Sequence, residues 1–329
     1  MKYNLRVHIA FITIFFLSAT SFVGENYAQE MGLIQSKYYS PIDYEAGTQN
    51  WAVVQDQRGV MYFGNVNGVL EFNGESWNLI PTANQSSVRS LSIDKDGIIY
   101  VGGYNELGYL LPDGRGIMHY HSLIPFIEEN LLDFGEVWDI NCFEDTVFIL
   151  TDRYLFRFID GHLNYWESKN EGYYLTHNVN NELYIQELGV GLMKFENDSI
   201  HLVEKGDFFN EIMIHSIFPI EDGFLICTRN NGLYTYKSIN NKIAITPLQS
   251  ISANGKKLND YFVKHSFYHG AELVDGLIAL GSISGDILIV NRDWDVVDII
   301  NHETIGIKSP TFFLYFADNQ YLWLALDNG

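Results

Sequence analysis

Three observations predict an all-β fold, namely a β-propeller of about seven four-stranded blades whose last blade is incomplete. Tyr and Phe are abundant, with 21 and 22 copies among 329 residues, and aromatic residues favour strands over helices. One phrase of three apolar runs, joined by a polar turn and then by a loop that often contains Gly, occurs seven times. The second run has adjacent apolar residues, which indicates a strand buried on both faces.

The repeats are spaced as propeller blades are. The turn before the second strand lies near residues 59, 97, 146, 182, 223, 276 and 320, and the six intervals average 43.5 residues. A period of about 40 to 45 residues that carries about four short strands is typical of propellers, in which each blade packs between two neighbours. The phrases span residues 51–72, 89–111, 138–158, 174–195, 215–236, 268–290 and 312–329.

Residues 1–28 have the order of a secretory signal peptide. MKYNLR carries two positive charges, IAFITIFFLSATSFV is an apolar run of 15 residues, and Ala28 is a small residue suited to cleavage. The run is shorter than the ~20 residues of a membrane-spanning helix, although an uncleaved N-terminal anchor is the alternative. We therefore expect an exported, periplasmic protein.

Residues 29–50 form a lead-in segment that could close the ring by supplying one strand to the last blade. The seventh phrase ends on YLWLALDNG, whereas the matching VMYFGNVNG of the first phrase continues into VLEF. Asn-Gly is a strong hairpin signal because both residues accept a positive φ. We therefore expect residues 51–329 to be propeller repeats that are truncated in the seventh, as the first part of a longer protein.

The net charge argues against nucleic-acid binding by this segment. Without residues 1–28 the chain has 18 Lys and Arg against 40 Asp and Glu, a net charge of −22. Such negative charge repels nucleic acid, and no basic run offsets it. Cys142 and Cys227 lie 85 residues apart in apolar runs and are predicted to be two separate thiols. No Cys/His cluster indicates a metal site, and we predict no cofactor.

One column of residues is the main candidate for a ligand site. Eight residues before each turn position stands an aromatic residue, a His or an Arg: Trp51, Arg89, Trp138, Tyr174, His215, Tyr268 and Phe312. At the mouth of the central channel, aromatic faces and an Arg would suit a sugar ring with an acidic substituent. The simpler alternative is a core position between blades, and a register slip of one residue exchanges the two placements.

The loops after the second strands supply further candidates near the same mouth. Five of their residues are predicted to contact a ligand, with solvated loop positions as the alternative: Tyr104, Glu106, Arg153, Glu187 and Arg229. His119 and His121 alternate in MHYHS, which places both on the surface of an outer strand. No nucleophile, zinc or phosphate motif occurs, so we predict no catalytic residue and no metal site.

Three phrases resemble a known family: GVMYFGNVNGVLEFNGESW, VRSLSIDKDGIIYVGGYNELGYL and YLWLALDNG resemble the two-component regulator propeller repeats of the Bacteroidetes lineage. The resemblance covers about residues 44–329 and is strongest in repeats one, two and seven. In that family the propellers form periplasmic sensor regions of membrane-spanning regulators. A triple-tyrosine β-sandwich, a transmembrane helix and a cytoplasmic kinase or DNA-binding module follow them, and this sequence contains none of these modules.

The resemblance implies a non-enzymatic sensor, anchored in the inner membrane when intact. It would bind a small ligand such as an oligosaccharide at its mouth, or signal through contacts in a homodimer or with a neighbouring module. Two alternatives stay open. One is a secreted polysaccharide lyase or glycosidase that uses Glu106, Glu187 or His215, and the other is a structural propeller that binds another protein.

Overall fold

A computed structural model describes residues 35–249, 257–306, 309–317 and 321–329. The predicted signal peptide, the first residues of the lead-in segment (29–34) and the last turn position, Gln320, lie outside the described residues. The described part contains 26 strands, β1 to β26, and three short α-helices. The helices are α1 (Pro41–Tyr44), α2 (Leu258–His265) and α3 (His302–Ile305).

Six sheets have four antiparallel strands each, hydrogen-bonded in chain order. The first three are β1–β4 (Asn50–Gln55, Met61–Asn65, Gly68–Phe72, Trp77–Ile80), β5–β8 (Val88–Ile93, Ile99–Gly103, Glu106–Pro112, Met118–Ser122) and β9–β12 (Val137–Phe143, Thr146–Thr151, Tyr154–Ile159, His162–Glu167). The next three are β13–β16 (Tyr173–Val179, Glu182–Glu187, Gly191–Glu196, Ser199–Leu202), β17–β20 (Ile214–Ile220, Gly223–Thr228, Leu233–Ile239, Lys242–Pro247) and β21–β24 (Phe267–Glu272, Ile278–Ser282, Ile287–Val290, Val296–Ile300).

A seventh sheet has two strands within the described residues, β25 (Thr311–Phe316) and β26 (Leu322–Leu326). The connections between strands include four 3₁₀ turns, at Ile124–Phe126, Glu129–Leu131, Gly206–Phe209 and Val274–Gly276. Among the residues described, no helix has the length and hydropathy needed to cross a membrane.

The predicted all-β propeller is confirmed for six four-stranded blades, whereas a seventh, incomplete blade stays a prediction. Burial on both faces of the second strand is seen most clearly in β2, β6 and β22, which are buried along their whole length. Such strands cannot face water on either side, so each sheet must be covered by a neighbour on both faces.

An apolar cluster fills each space between successive sheets. Val54 and Tyr62 of the first sheet pack with Val101 of the second, and comparable clusters follow between every later pair. The seventh cluster joins the two-stranded sheet to the first sheet through Ala325 and Phe63. The sheets therefore form a closed ring whose core is divided into seven interfaces.

The lead-in segment from residue 35 packs across the junction between the last and the first sheet. Its described residues form the helical turn α1 and contain no strand before β1, so a strand supplied by the lead-in stays a prediction. The Tyr39 ring stacks on Trp323 of the last sheet at 6.1 Å and meets Phe72 and Trp77 of the first at 5.1 and 5.3 Å, between ring centroids. The Tyr38 hydroxyl donates to the Asn328 carbonyl. Aromatic packing thus holds the two ends of the described chain together.

Glycines late in the second strand let neighbouring inner strands approach closely. A Cβ at Gly64 would lie 2.8 Å from the Val88 carbonyl oxygen of the next inner strand, β5. Gly102 occupies the matching place in the second sheet, where a Cβ would collide with Val137 of β9. Because only glycine lacks a Cβ, these positions allow the inner strands to crowd around the axis.

The aromatic junction should contribute strongly to stability. Phe72 is 5% exposed and its ring stacks on Trp77 with centroids 4.4 Å apart. We expect Phe72→Ala to lower the free energy of unfolding by about 3–5 kcal/mol, because a large aromatic side chain leaves a cavity. Phe126→Ala, at a site 63% exposed, should change it by about 0.5 kcal/mol or less. Urea unfolding of both variants measures the difference, and equal losses would contradict the closed junction.

Candidate functional site

Every inner strand has a β-bulge near its first residue, and the bulge falls on the predicted column. The register shifts lie between Asn50 and Ala52 in β1 and between Val88 and Ser90 in β5. The same shift recurs in the other five inner strands, around Trp138, Tyr174, His215, Tyr268 and Phe312. A bulge breaks the alternation of a strand and redirects the side chain of the extra residue.

The bulge separates the column from the cores between the sheets. Residues just before it, such as Val88, Val137 and Phe267, belong to the apolar clusters of the interfaces. None of the seven column residues belongs to those clusters. Column residues of neighbouring inner strands instead contact one another in two groups, Trp51 to Trp138 and Tyr174 to Phe312. The column is therefore separate from the apolar cores, and we call its seven residues the mouth ring after their predicted place.

One side of the mouth ring is built around Arg89. The centre of its guanidinium lies 3.8 Å from the centroid of the Trp51 ring and 5.8 Å from that of Trp138, distances at which a cation is attracted to an aromatic face. Arg89 Nε lies 3.8 Å from Glu136 Oε1, which is too long for a hydrogen bond. Both atoms are buried and have no hydrogen-bond partner among the described residues.

Trp138 has a fixed orientation but an exposed face. Its indole Nε1 donates to Asp152 Oδ1 at 2.6 Å, and Asp152 Oδ2 accepts from the Glu136 amide at 3.1 Å. The residue is nevertheless 39% exposed. Burial raises the pKa of Glu136, and Asp152 raises it further, whereas Arg89 lowers it. Glu136, which the sequence analysis missed, is placed here because it directly precedes the bulged strand β9.

The other side of the mouth ring is a chain of aromatic and imidazole rings. Tyr174 and His215 have ring centroids 5.6 Å apart, His215 and Tyr268 5.1 Å, and Tyr268 and Phe312 5.6 Å. His215 Nδ1 lies 2.7 Å from the Tyr268 carbonyl oxygen, and Nε2 lies 2.8 Å from the Tyr174 hydroxyl. Because a carbonyl only accepts, Nδ1 carries the proton and Nε2 accepts from Tyr174. Burial lowers the pKa of His215 to about 4.

The predicted loop residues have different surroundings. Glu106 is buried and accepts from the hydroxyls of Tyr120 and Ser122, so it fastens the outer strand of its own sheet. Glu187 is also buried, and it accepts from Ser168, Lys169 and Asn170 at 2.8–3.1 Å. Arg153 forms an exposed ion pair with Glu167. Tyr104 is 53% exposed in the turn between β6 and β7. None of these hydrogen bonds and ion pairs joins one of the four residues to the mouth ring.

Arg229 lies beside the mouth ring. It directly follows β18; its amide donates to the Met213 carbonyl at 2.9 Å, and its carbonyl accepts from the Phe267 amide at 2.9 Å. These bonds hold it between the starts of β17 and β21, next to His215 and Tyr268. Burial raises the pKa values of Tyr174 and Tyr268, and the Arg229 guanidinium opposes this rise at both hydroxyls.

The described residues contain no group of three side chains suited to a metal ion. His119 and His121 lie on the exposed face of β8, where His121 stacks on Tyr109 with centroids 5.6 Å apart. Both cysteines are free, Cys142 in the third sheet and Cys227 in the fifth. Oxidation between them would need sheets that are not neighbours to meet.

Two cavities lie away from the mouth ring. One of about 510 Å³ lies between the third and fourth sheets, and one of about 670 Å³ lies between the fifth and sixth. In the first, Lys194 pairs with Glu182 at 2.7 Å, so its charges already satisfy one another. Arg89 Nε and Glu136 Oε1, which have no hydrogen-bond partner among the described residues, lie beside the exposed Trp138, so the mouth ring is the better candidate for a ligand site.

The comparisons with known proteins show the fold. No family model matches the chain, and no curated protein sequence is similar to it. The extracellular domain of BT4673 from B. thetaiotaomicron, described in one structure as part of a one component system and in another as part of a hybrid two component system, is similar with a TM-score of 0.62 and 16% identity. The similarity covers 86% of this chain but only 38% of that one.

Propellers of other kinds are equally similar. The WD40 propeller domain of Doa1 has a TM-score of 0.64 at 12% identity, covering 90% of this chain and 93% of that one. The virginiamycin B lyase of Staphylococcus aureus has a TM-score of 0.62 at 14% identity, covering 85% and 92%. At such low identities these structures define the class of protein, a β-propeller, and no activity.

Buried histidines beside the mouth ring should make the protein sensitive to acid. Burial lowers the pKa values of His177 and His269 to about 3 and that of His215 to about 4, all below the unfolded value of 6.5. Their stabilising effect is therefore present above pH 6.5 and is lost as the pH falls towards 4, because the unfolded chain takes up protons first. Burial raises the pKa of Asp139 to about 6, so below that pH the folded protein binds a proton at Asp139 before the unfolded chain does. This offsets one of the protons that the unfolded histidines take up.

We expect the free energy of unfolding to fall as the pH is lowered from 6.5 to 4. His177→Gln should reduce the slope by about 1.4 kcal/mol per pH unit, the effect of one proton. His121→Gln, at an exposed position, is the matched control and should leave the slope as in the parent protein. Urea unfolding at several pH values measures this, and an unchanged slope in His177→Gln would show that His177 is not kept neutral by burial.

Proposed function

We propose that this chain is a non-catalytic, ligand-binding sensor propeller that acts outside the cytoplasm and binds an oligosaccharide at the mouth ring. The observation that supports this most is the mouth ring itself: all seven inner strands have a bulge at the same position, and the residue there is an aromatic residue, a His or an Arg. Sugars are bound by aromatic faces that stack on their C–H surfaces and by polar groups that bind their hydroxyls. Trp138 offers such a face, and Arg89 with Glu136 offers a donor and an acceptor.

The protonation state of His215 supports binding over catalysis. Tyr174 and His215 are the pair in the mouth ring that most resembles a hydroxyl activated by a base. A general base works best when its pKa is near the working pH, whereas that of His215 is lowered to about 4. At neutral pH this imidazole is a weak base and serves to position Tyr174. A lyase or glycosidase remains the alternative that the experiment below addresses.

The sensor role extends the proposal to the whole protein. We propose that residues 1–28 export the chain, that β25 and β26 belong to a seventh blade, and that modules of a membrane-spanning regulator receive the signal. The resemblance of the repeats to the two-component regulator propellers supports this, as does the similarity in fold to the extracellular domain of BT4673. A ligand shifts a receptor only by binding two arrangements unequally, so the propeller would signal by changing its packing on a partner module or in a homodimer.

Calorimetric titration of the purified protein with neutral and acidic oligosaccharides tests the proposed site. We expect at least one to bind, and Trp138→Ala to weaken that binding at least tenfold, or by about 1.4 kcal/mol, because the stacking face is lost. Tyr165→Ala, which removes an aromatic residue 43% exposed on an outer strand, should not change it. The absence of binding across the panel would contradict the proposal, and conversion of any glycan to products would favour the enzyme.

A further inference from the structure

We propose that Arg229 and the Tyr268 hydroxyl form a subsite for a carboxylate or sulfate group, so that the ligand of the mouth ring is an acidic sugar. This inference rests on the proposed function, because it assigns a chemical class to the ligand of the same site. Three observations support the inference: the position of Arg229 between two inner strands, the lack of an acidic partner for Arg229 among the described residues, and the different polar groups on the two sides of the mouth ring.

The backbone of Arg229 is held between two inner strands. Its amide and carbonyl are bonded to Met213 and Phe267, the residues at the starts of β17 and β21. The residues that follow, at the bulges of the same two strands, are His215 and Tyr268 of the mouth ring. Arg229 thus lies in the loop after the second strand of its sheet, and its backbone is bonded to residues at the starts of both neighbouring inner strands.

Arg229 has no carboxylate within salt-bridge distance among the described residues. This is unusual in a chain with 41 acidic and 20 basic residues. The arginines that do have such a partner are Arg58, Arg89, Arg115, Arg153 and Arg157. Arg292, in the turn between β23 and β24, shares the lack of a partner but lies at the far end of its sheet from the mouth. An unpaired guanidinium at the mouth is suited to an anionic group, which it can bind through two hydrogen bonds.

The neighbouring tyrosines have complementary roles. The Tyr174 hydroxyl donates to His215 Nε2, so its oxygen faces Arg229 as an acceptor and positions the guanidinium. The Tyr268 hydroxyl makes no hydrogen bond with the described residues and is free to donate to a ligand oxygen. Burial raises the pKa of Tyr268, and the charges of Arg229 and Arg89 both lower it.

The opposite side of the mouth ring is electrically balanced. Arg89 is accompanied by Glu136, whose Oε1 lies 3.8 Å from Arg89 Nε, and neither atom has a hydrogen-bond partner. A donor and an acceptor at this spacing suit the neutral hydroxyls of a sugar ring stacked on Trp138. The positive charge that lacks compensation is on Arg229, so the acidic substituent should point there.

Calorimetry with matched charged and neutral sugars tests the subsite. The probes are oligogalacturonides of three to six residues with their methyl esters, and sulfated glycosaminoglycan disaccharides with their desulfated forms. We expect one charged member to bind more tightly than its neutral partner. Arg229→Gln should weaken the charged probe about 10- to 150-fold, as for a charged hydrogen bond, and leave the neutral partner unchanged. Tyr268→Phe should weaken the charged probe about 2- to 12-fold.

The controls separate this inference from the proposed function. Arg115→Gln removes an arginine that is exposed in the turn between β7 and β8 and should not alter either affinity. Equal binding of charged and neutral partners, or an equal loss of both in Arg229→Gln, would overturn the anion subsite while the sugar-binding proposal stands. If no probe binds, the result contradicts both the anion subsite and the sugar-binding proposal. Thermal melting of each variant establishes that it is folded.

Discussion

The β-bulge near the start of each inner strand is the constraint on which the rest of this structure depends. Without the extra residue, strict alternation would point the side chains of the column, from Trp51 to Phe312, into the cores between the sheets. There His215 or Arg89 would lack polar partners. With it, Val88 and Phe267 lie in the interfaces while the next residue, Arg89 or Tyr268, stays out of them. One local irregularity, repeated seven times, thus separates the residues that hold the ring together from those of the proposed ligand site.

The closed ring brings the inner strands close together. Seven apolar clusters fill the spaces between the sheets, and the aromatic residues around Trp77 and Trp323 join the last sheet to the first. Gly64 and Gly102 remove the Cβ atoms that would keep neighbouring inner strands apart. Crowding polar groups near the axis disfavours their charged forms, and burial accordingly lowers the pKa values of His177, His215 and His269.

The fold could be predicted from the sequence because its structural unit repeats, whereas the site could be predicted only in part. Adjacent apolar residues at a fixed offset predicted strands buried on both faces, as in β2. The same alignment identified the column. A bulge leaves no trace in the amino-acid composition, however, so the side of the strand on which the column lies could be determined only from the backbone geometry. Glu106 and Glu187 were predicted at the mouth, yet their hydrogen bonds go to residues 14 to 19 positions away, which hold Glu106 to the outer strand of its own sheet and Glu187 to the loop before β13. The lead-in could have supplied a strand, but its described residues form a helical turn because Ser40, Pro41 and Asp43 make a capped helix start.

The most direct test of the central claim is hydroxyl-radical footprinting with and without the oligosaccharide that binds best. The claim is that the seven bulged residues form one surface at the channel mouth and that this surface binds the ligand. We expect the ligand to protect Trp138, Tyr174 and Tyr268 together, although they come from three different sheets, and to leave Phe126 unchanged. Protection confined to the cavity between the third and fourth sheets, around Phe148 and Phe195, with the mouth ring unprotected, would contradict the account.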